Sequence, residues 1–149
     1  MNIDFANLEK AYQEHQPEVE GAALDVKLKH YEREIERRQS VAKKYAERLN
    51  LQVSIPVLKE DRTSVWAQYT LRVQNRSQVQ EDLTKAVIPT AVHYPIPMHL
   101  QECFNSLGYG KGDFPKSETC ADEVMRLPMN PYLVDREIDY ITSNLIKLI

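Results

Sequence analysis

The chain has 149 residues, 42% of them hydrophobic and 28% charged, with a formal net charge of −3. That is one domain, or one with appendages, and it buries roughly 70% of the unfolded surface. The acidic balance argues against nucleic acid as a partner, and no apolar run approaches the ~18 residues of a membrane span.

The start, M-N-I-D-F-A-N-L, lacks the basic-then-apolar pattern of a signal peptide, and Cys103 and Cys120 form no CxxC pair. The expected location is cytoplasmic, with no membrane partner. Residues 3–20 are amphipathic, with Phe5, Leu8 and Tyr12 at helical spacing, Asn7 as a cap and Pro17 as a stop. Residues 22–49 read as one long helix. Leu24, Leu28, Tyr31, Ile35, Arg38, Ala42, Tyr45 and Leu49 form a heptad-like stripe that suits either a sheet or a second helix.

The period then changes to two. Leu51, Val53 and Ile55 alternate up to Pro56, and 64–73 is the clearest strand, with Tyr69, Leu71 and Val73 on one side. Trp66 and Tyr69 read as sheet packing. Ser77 and Gln80 make a capping box for a helix carrying Val79, Leu83 and Ala86. A strand over 87–94 follows and runs into H-Y-P-I-P. Proline has a fixed φ and no N–H, so Pro95 and Pro97 force a stiff extended loop holding His93 and Tyr94. A short helix through Leu100, Cys103, Phe104 and Leu107 comes next, and the cluster Gly108, Gly110, Gly112 reads as a loop. That cluster has no Gly-Lys-Ser/Thr and no strand before it, so it is no phosphate cradle. Pro115 opens a short helix to Val124, 125–129 is a last strand, and Asp135 caps a terminal helix with Ile138, Ile141, Leu145 and Leu148 inward. The order predicts an α+β layer: a small, mostly antiparallel sheet covered by helices, with a long N-terminal helical arm.

Chemical motifs are few. Ser40-Val-Ala-Lys43 fits S-x-x-K but sits in a charged helix without companion motifs. His93 and His99 are six apart with no third ligand, so no metal site is expected. His99 itself reads as a helix-start residue. From the residues alone, His93 is either a binding group on a scaffolded loop or a solvated strand-end histidine.

Several stretches carry a family resemblance in consecutive order: A-A-L-D-V-K-L-K-H from Ala22, S-V-W-A-Q-Y-T-L-R-V, I-P-T-A-V-H-Y-P-I-P-M-H-L, G-D-F-P-K-S-E and L-P-M-N-P-Y-L. They resemble the C-terminal domain of the DegT/DnrJ/EryC1/StrS family of pyridoxal-phosphate-dependent nucleotide-sugar aminotransferases, and residues 1–20 resemble that family's extreme N-terminus. The resemblance implies the small domain of a fold-type I aminotransferase over 21–149, helix 22–49 included. It implies that His93 and Tyr94 face a nucleotide-sugar substrate, with a UDP-sugar as the ligand.

The family's large domain, with its Schiff-base lysine and the aspartate facing the pyridine nitrogen, has no counterpart between the two matches. The expectation is therefore a truncated member with no catalytic and no cofactor-binding residues of its own, related to cell-surface polysaccharide synthesis and inactive alone. Two alternatives stand beside it: a half-enzyme completed by a separate pyridoxal-phosphate-domain chain, and a self-associating structural or binding module. Surfaces that a missing domain leaves uncovered imply a homo-oligomer.

Overall fold

A computed structural model describes residues 8–149, with side chains from residue 12 onward. The expected cap at Asn7, Phe5 and the side chain of Leu8 lie outside the described residues. Helix α1, Leu8–Leu28, carries Pro17 inside it and leaves helical geometry at His15. Proline removes one intrahelical donor and crowds the preceding turn, so it kinks this helix where the sequence suggested a stop. The single helix expected over 22–49 is two: α1 ends at Leu28, and α2 spans Tyr31–Leu49. The turn between them, at Lys29 and His30, contains neither proline nor glycine, so nothing local marked it.

Residues through Glu36 form one compact unit and Arg37–Ile149 another. The predicted stripe divides accordingly. Ala42, Tyr45 and Leu49 are buried, whereas Leu24, Leu28 and Tyr31 are exposed.

The α+β expectation holds in the second unit. Strand β1, Tyr69–Arg72, and strand β2, Val124–Leu127, pair antiparallel, with Tyr69 opposite Leu127 and Arg72 opposite Val124. The strands expected at 51–55 and 87–94 shrink to single bridges, Ser54 to Arg72 on one edge and Ala91 to Arg126 on the other. Pro56, Pro89, Pro95 and Pro97 bracket those bridges and cannot donate to a ladder. The 64–73 strand is shortened because Trp66 sits at φ 48°, outside extended space.

Side chains alternate across the short sheet. Tyr69, Leu71, Met125 and Leu127 enter the core, where they meet Tyr45 and Leu49 of α2. Helix α3, Arg76–Lys85, adds Val79 and Leu83, and helix α5, Asp135–Ile146, adds Ile138, Ile141 and Leu145. The Tyr45 and Tyr69 rings lie 4.9 Å apart, and the Tyr45 hydroxyl donates to the Pro128 carbonyl at 2.9 Å. Burial pushes the Tyr69 phenol up to about 12. Arg48 of α2 pairs with Asp139 of α5 at 2.6 Å, and Lys44 pairs with Asp135. Helix α4, Pro115–Glu123, starts on its proline as expected.

The two ends of α3 differ from the sequence reading. Its N-cap is Asn75 in left-handed geometry, so Ser77 is already helical and the capping box does not form. Gln80 instead donates to the Thr90 hydroxyl at 3.0 Å, tying the helix to the segment that leads to His93. At the other end, Val87 N–H bonds to Thr84 O and Ile88 N–H to Leu83 O, both at 2.9 Å. This is a full Schellman closure, with Leu83 and Ile88 buried together. The motif needs a left-handed residue after the cap, and that residue is a β-branched valine at φ 59°, 88% exposed. Left-handed geometry costs roughly 1–2 kcal/mol for an L-residue and almost nothing for glycine. Val87→Gly is therefore expected to stabilise the fold by about 1 kcal/mol, raising the thermal midpoint by a few degrees in a calorimetric melt.

Candidate functional site

The segment 88–97 is fixed at its base before it becomes a loop. Ile88 is buried in the core, Thr90 accepts from Gln80, and Ala91 exchanges backbone hydrogen bonds with Arg126. Arg126 N–H donates to Ala91 O at 2.8 Å, and Ala91 N–H returns a longer bond at 3.4 Å. Beyond this bridge the chain leaves the sheet. His93 and Tyr94 are both exposed, Tyr94 at 77%, with ring centroids 5.9 Å apart and planes tilted by 42°. The peptide between them is cis. The two predicted site residues thus stand side by side, as an imidazole and a phenol facing out of a proline-bounded loop.

His99 does not join them. The sequence reading made it a helix-start residue, and it does fall within a short 3-10 turn, Met98–Leu100, but its ring is buried. It packs against Phe114 with ring centroids 4.8 Å apart and planes tilted by 54°, and its Nε2 lies 3.0 Å from Glu118 Oε1. The same oxygen accepts the Gly112 N–H at 2.8 Å. Glu118 is in the first turn of α4, where the helix dipole favours an anion, so the carboxylate accepts and the imidazole donates. Tyr109 closes the cluster edge-on to Phe114 at 5.0 Å.

This latch fastens the far end of the loop and folds the glycine cluster down, with Gly112 at φ 100°, open only to glycine. Sequence reasoning missed it, and the available signal was an acid in the first turn of a proline-started helix. Among the described residues no group of three His, Cys, Asp or Glu side chains could hold a metal. None of their helices is long and apolar enough to cross a membrane.

Comparison with known proteins gives a consistent picture. Residues 7–146 match the model of the DegT/DnrJ/EryC1/StrS aminotransferase family. The chain is 40% identical over 128 residues to the UDP-2-acetamido-2-deoxy-3-oxo-D-glucuronate aminotransferase of Pseudomonas aeruginosa, covering 85% of this chain and 35% of that protein. It is 36% identical over 138 residues to a pleiotropic regulatory protein of Geobacillus stearothermophilus, covering 90% of this chain and 37% of the relative.

Among solved structures, a DegT DnrJ EryC1 StrS aminotransferase from Brucella abortus superposes with a TM-score of 0.76 at 33% identity, over 82% of this chain and 33% of that one. DesV of S. venezuelae superposes with a TM-score of 0.80 at 27% identity, over 85% and 35%. The chain spans about a third of the length of the curated relatives it matches.

Pyridoxal phosphate, which the resemblance implies for whole family members, needs a lysine held out of water to carry it. Every lysine with a described side chain is exposed or half-exposed, and Lys29, Lys44 and Lys85 are paired with Asp25, Asp135 and Asp82. The described residues therefore do not by themselves fit that group.

The latch makes a pH prediction. The Gly112 N–H foremost, with His99 and the Phe114 backbone, holds the Glu118 carboxyl below its ordinary value. A depressed carboxylate stabilises the fold above its unfolded pKa of about 4.3, and that contribution is lost as pH falls through the folded value. Thermal melts between pH 7 and pH 3 should show an acid loss in the wild type that is smaller in Glu118→Gln. Parallel pH profiles would contradict the latch.

Proposed function

The chain belongs to the DegT/DnrJ/EryC1/StrS aminotransferase family, and from that premise we propose that it forms the substrate-facing portion of a sugar aminotransferase. Its ligand is a nucleotide sugar, with UDP-sugars first, in sugar-nucleotide metabolism for cell-surface polysaccharide. The residues that touch it are His93 and Tyr94. The observation that carries this reading is the exposed His93–Tyr94 pair on a loop tied at both ends, by the Ala91–Arg126 bridge and by the His99–Glu118 latch. A loop already ordered loses little entropy on binding, so the imidazole can hydrogen-bond and the phenol can stack at low cost. The names of the relatives, which act on UDP- and dTDP-linked sugars, support the ligand class.

These residues do not transaminate alone in this reading. The pyridoxal-phosphate-bearing part comes from residues outside this sequence, in the same polypeptide or in a separate chain that completes the enzyme. Location is cytoplasmic, in keeping with two free, exposed thiols.

Calorimetric titration with UDP and UDP-N-acetylglucosamine tests the ligand. His93→Ala and Tyr94→Ala are each expected to weaken binding three- to tenfold, the range of one net hydrogen bond or a modest stack. Unchanged affinity in both variants would remove these residues from the site.

A second reading, self-association, is favoured by Val19, Leu24, Val26, Leu28 and Tyr31, all of them about half exposed or more within the first unit. Apolar side chains exposed in such number mark an interaction surface, and a homo-oligomer would cover them. Light scattering on the eluting protein should then give a multiple of the 17.3 kDa chain mass. A stable monomer would set the oligomer aside.

A further inference from the structure

We propose that Arg126 is an oxyanion-binding residue at the foot of the His93–Tyr94 loop, taking a phosphate or carboxylate of the nucleotide sugar. The inference rests on the nucleotide-sugar reading above and adds a residue to it.

Arg126 lies on the outer face of the sheet, opposite Thr70, while its neighbours Met125 and Leu127 fill the core. That face carries a second arginine, Arg72, whose charge is met by Glu123 at 2.9 Å. Among the described residues no carboxylate pairs with Arg126, and it is half-buried rather than free in solvent. It lines a groove of about 320 Å³ with Gln68, Thr90, Pro89 and Pro128. The groove thus has a permanent cation, neutral polar groups beside it and proline walls.

Three features suit an oxyanion. A guanidinium stays charged at any physiological pH and presents a planar fork that matches phosphate or carboxylate with two parallel hydrogen bonds. Its backbone is held by β1 on one side and by Ala91 on the other, so the side chain starts from a fixed base. Ala91 precedes His93 by two residues, roughly 7 Å of extended chain. A nucleoside diphosphate sugar is longer than that, so one molecule can meet Arg126 with its anionic part and His93 and Tyr94 with its neutral part.

The test is calorimetric titration of wild type, Arg126→Gln and Arg126→Lys with uridine, UDP, UDP-glucuronate and inorganic pyrophosphate, after circular dichroism has shown the variants folded. The expected result is a ten- to hundredfold loss of UDP and pyrophosphate affinity in Arg126→Gln, the range for a hydrogen bond to a charged group. Uridine should be unaffected and Arg126→Lys intermediate. A loss confined to UDP-glucuronate supports the site and identifies the anion as the sugar carboxylate. UDP, UDP-glucuronate and pyrophosphate that bind Arg126→Gln as well as wild type overturn the inference and leave the nucleotide-sugar reading intact. Pyrophosphate binding that depends on Arg126, with no response to any uridine compound, keeps the oxyanion site and overturns the nucleotide-sugar reading. Absence of all binding to the wild type overturns both.

Discussion

The backbone bridge between Ala91 and Arg126 is the constraint on which the site depends. Strand β2 already uses one edge to pair with β1, and its other edge accepts a single residue before prolines end the pairing. That one pair decides where the chain leaves the sheet, and so where His93 and Tyr94 project. Its neighbours reinforce it: Gln80 reaches across from α3 to Thr90, and Ile88 is anchored by the Schellman closure of the same helix. The loop begins from a small, well-packed frame and ends on a second one, where the buried His99 meets Glu118 and, through it, the exposed Gly112. Between them stand two exposed rings, His93 and Tyr94, in contact with each other.

The sheet explains how so short a ladder can hold this arrangement. Two strands of four residues are marginal by themselves. Here both inner faces are filled by Tyr45 and Leu49 of α2, Leu83 of α3 and Ile138 and Leu145 of α5. The polar ties lie at the margins, Tyr45 to Pro128 and Arg48 to Asp139, where they set the position of α2 and α5 rather than the bulk of the stability. The outer face of the same strands carries Thr70, Arg72 and Arg126 beside Val124, and among the described residues no carboxylate pairs with Arg126.

Much of this was legible in the sequence because it is local. The period-two run ending at Val73, the proline at the start of α4 and the Ile138, Ile141, Leu145 spacing of α5 each point to the element that forms. Asp135, by contrast, is the first helical residue after the cap, Val134, and Leu148 lies past the helix end, exposed. The H-Y-P-I-P stretch announced a rigid loop, and motif order pointed to the family. What was not legible is tertiary. The turn at Lys29 and His30 has no breaker residue, Val87 occupies a position where glycine would have flagged the helix end, and the 51–55 and 87–94 runs form single bridges because prolines leave few donors. The burial of His99 depends on Phe114 and Glu118, fifteen and nineteen residues away, and no spacing rule connects them.

The central claim is that a pre-ordered loop faces a nucleotide sugar. Its most direct test is a residue-resolved nuclear magnetic resonance titration of the labelled chain with UDP-N-acetylglucosamine. Shifts that saturate together at residues 90–94 and at Arg126, with the core signals of α5 unmoved, are what the account predicts. Saturable shifts clustered elsewhere, or none at high ligand concentration, would contradict it.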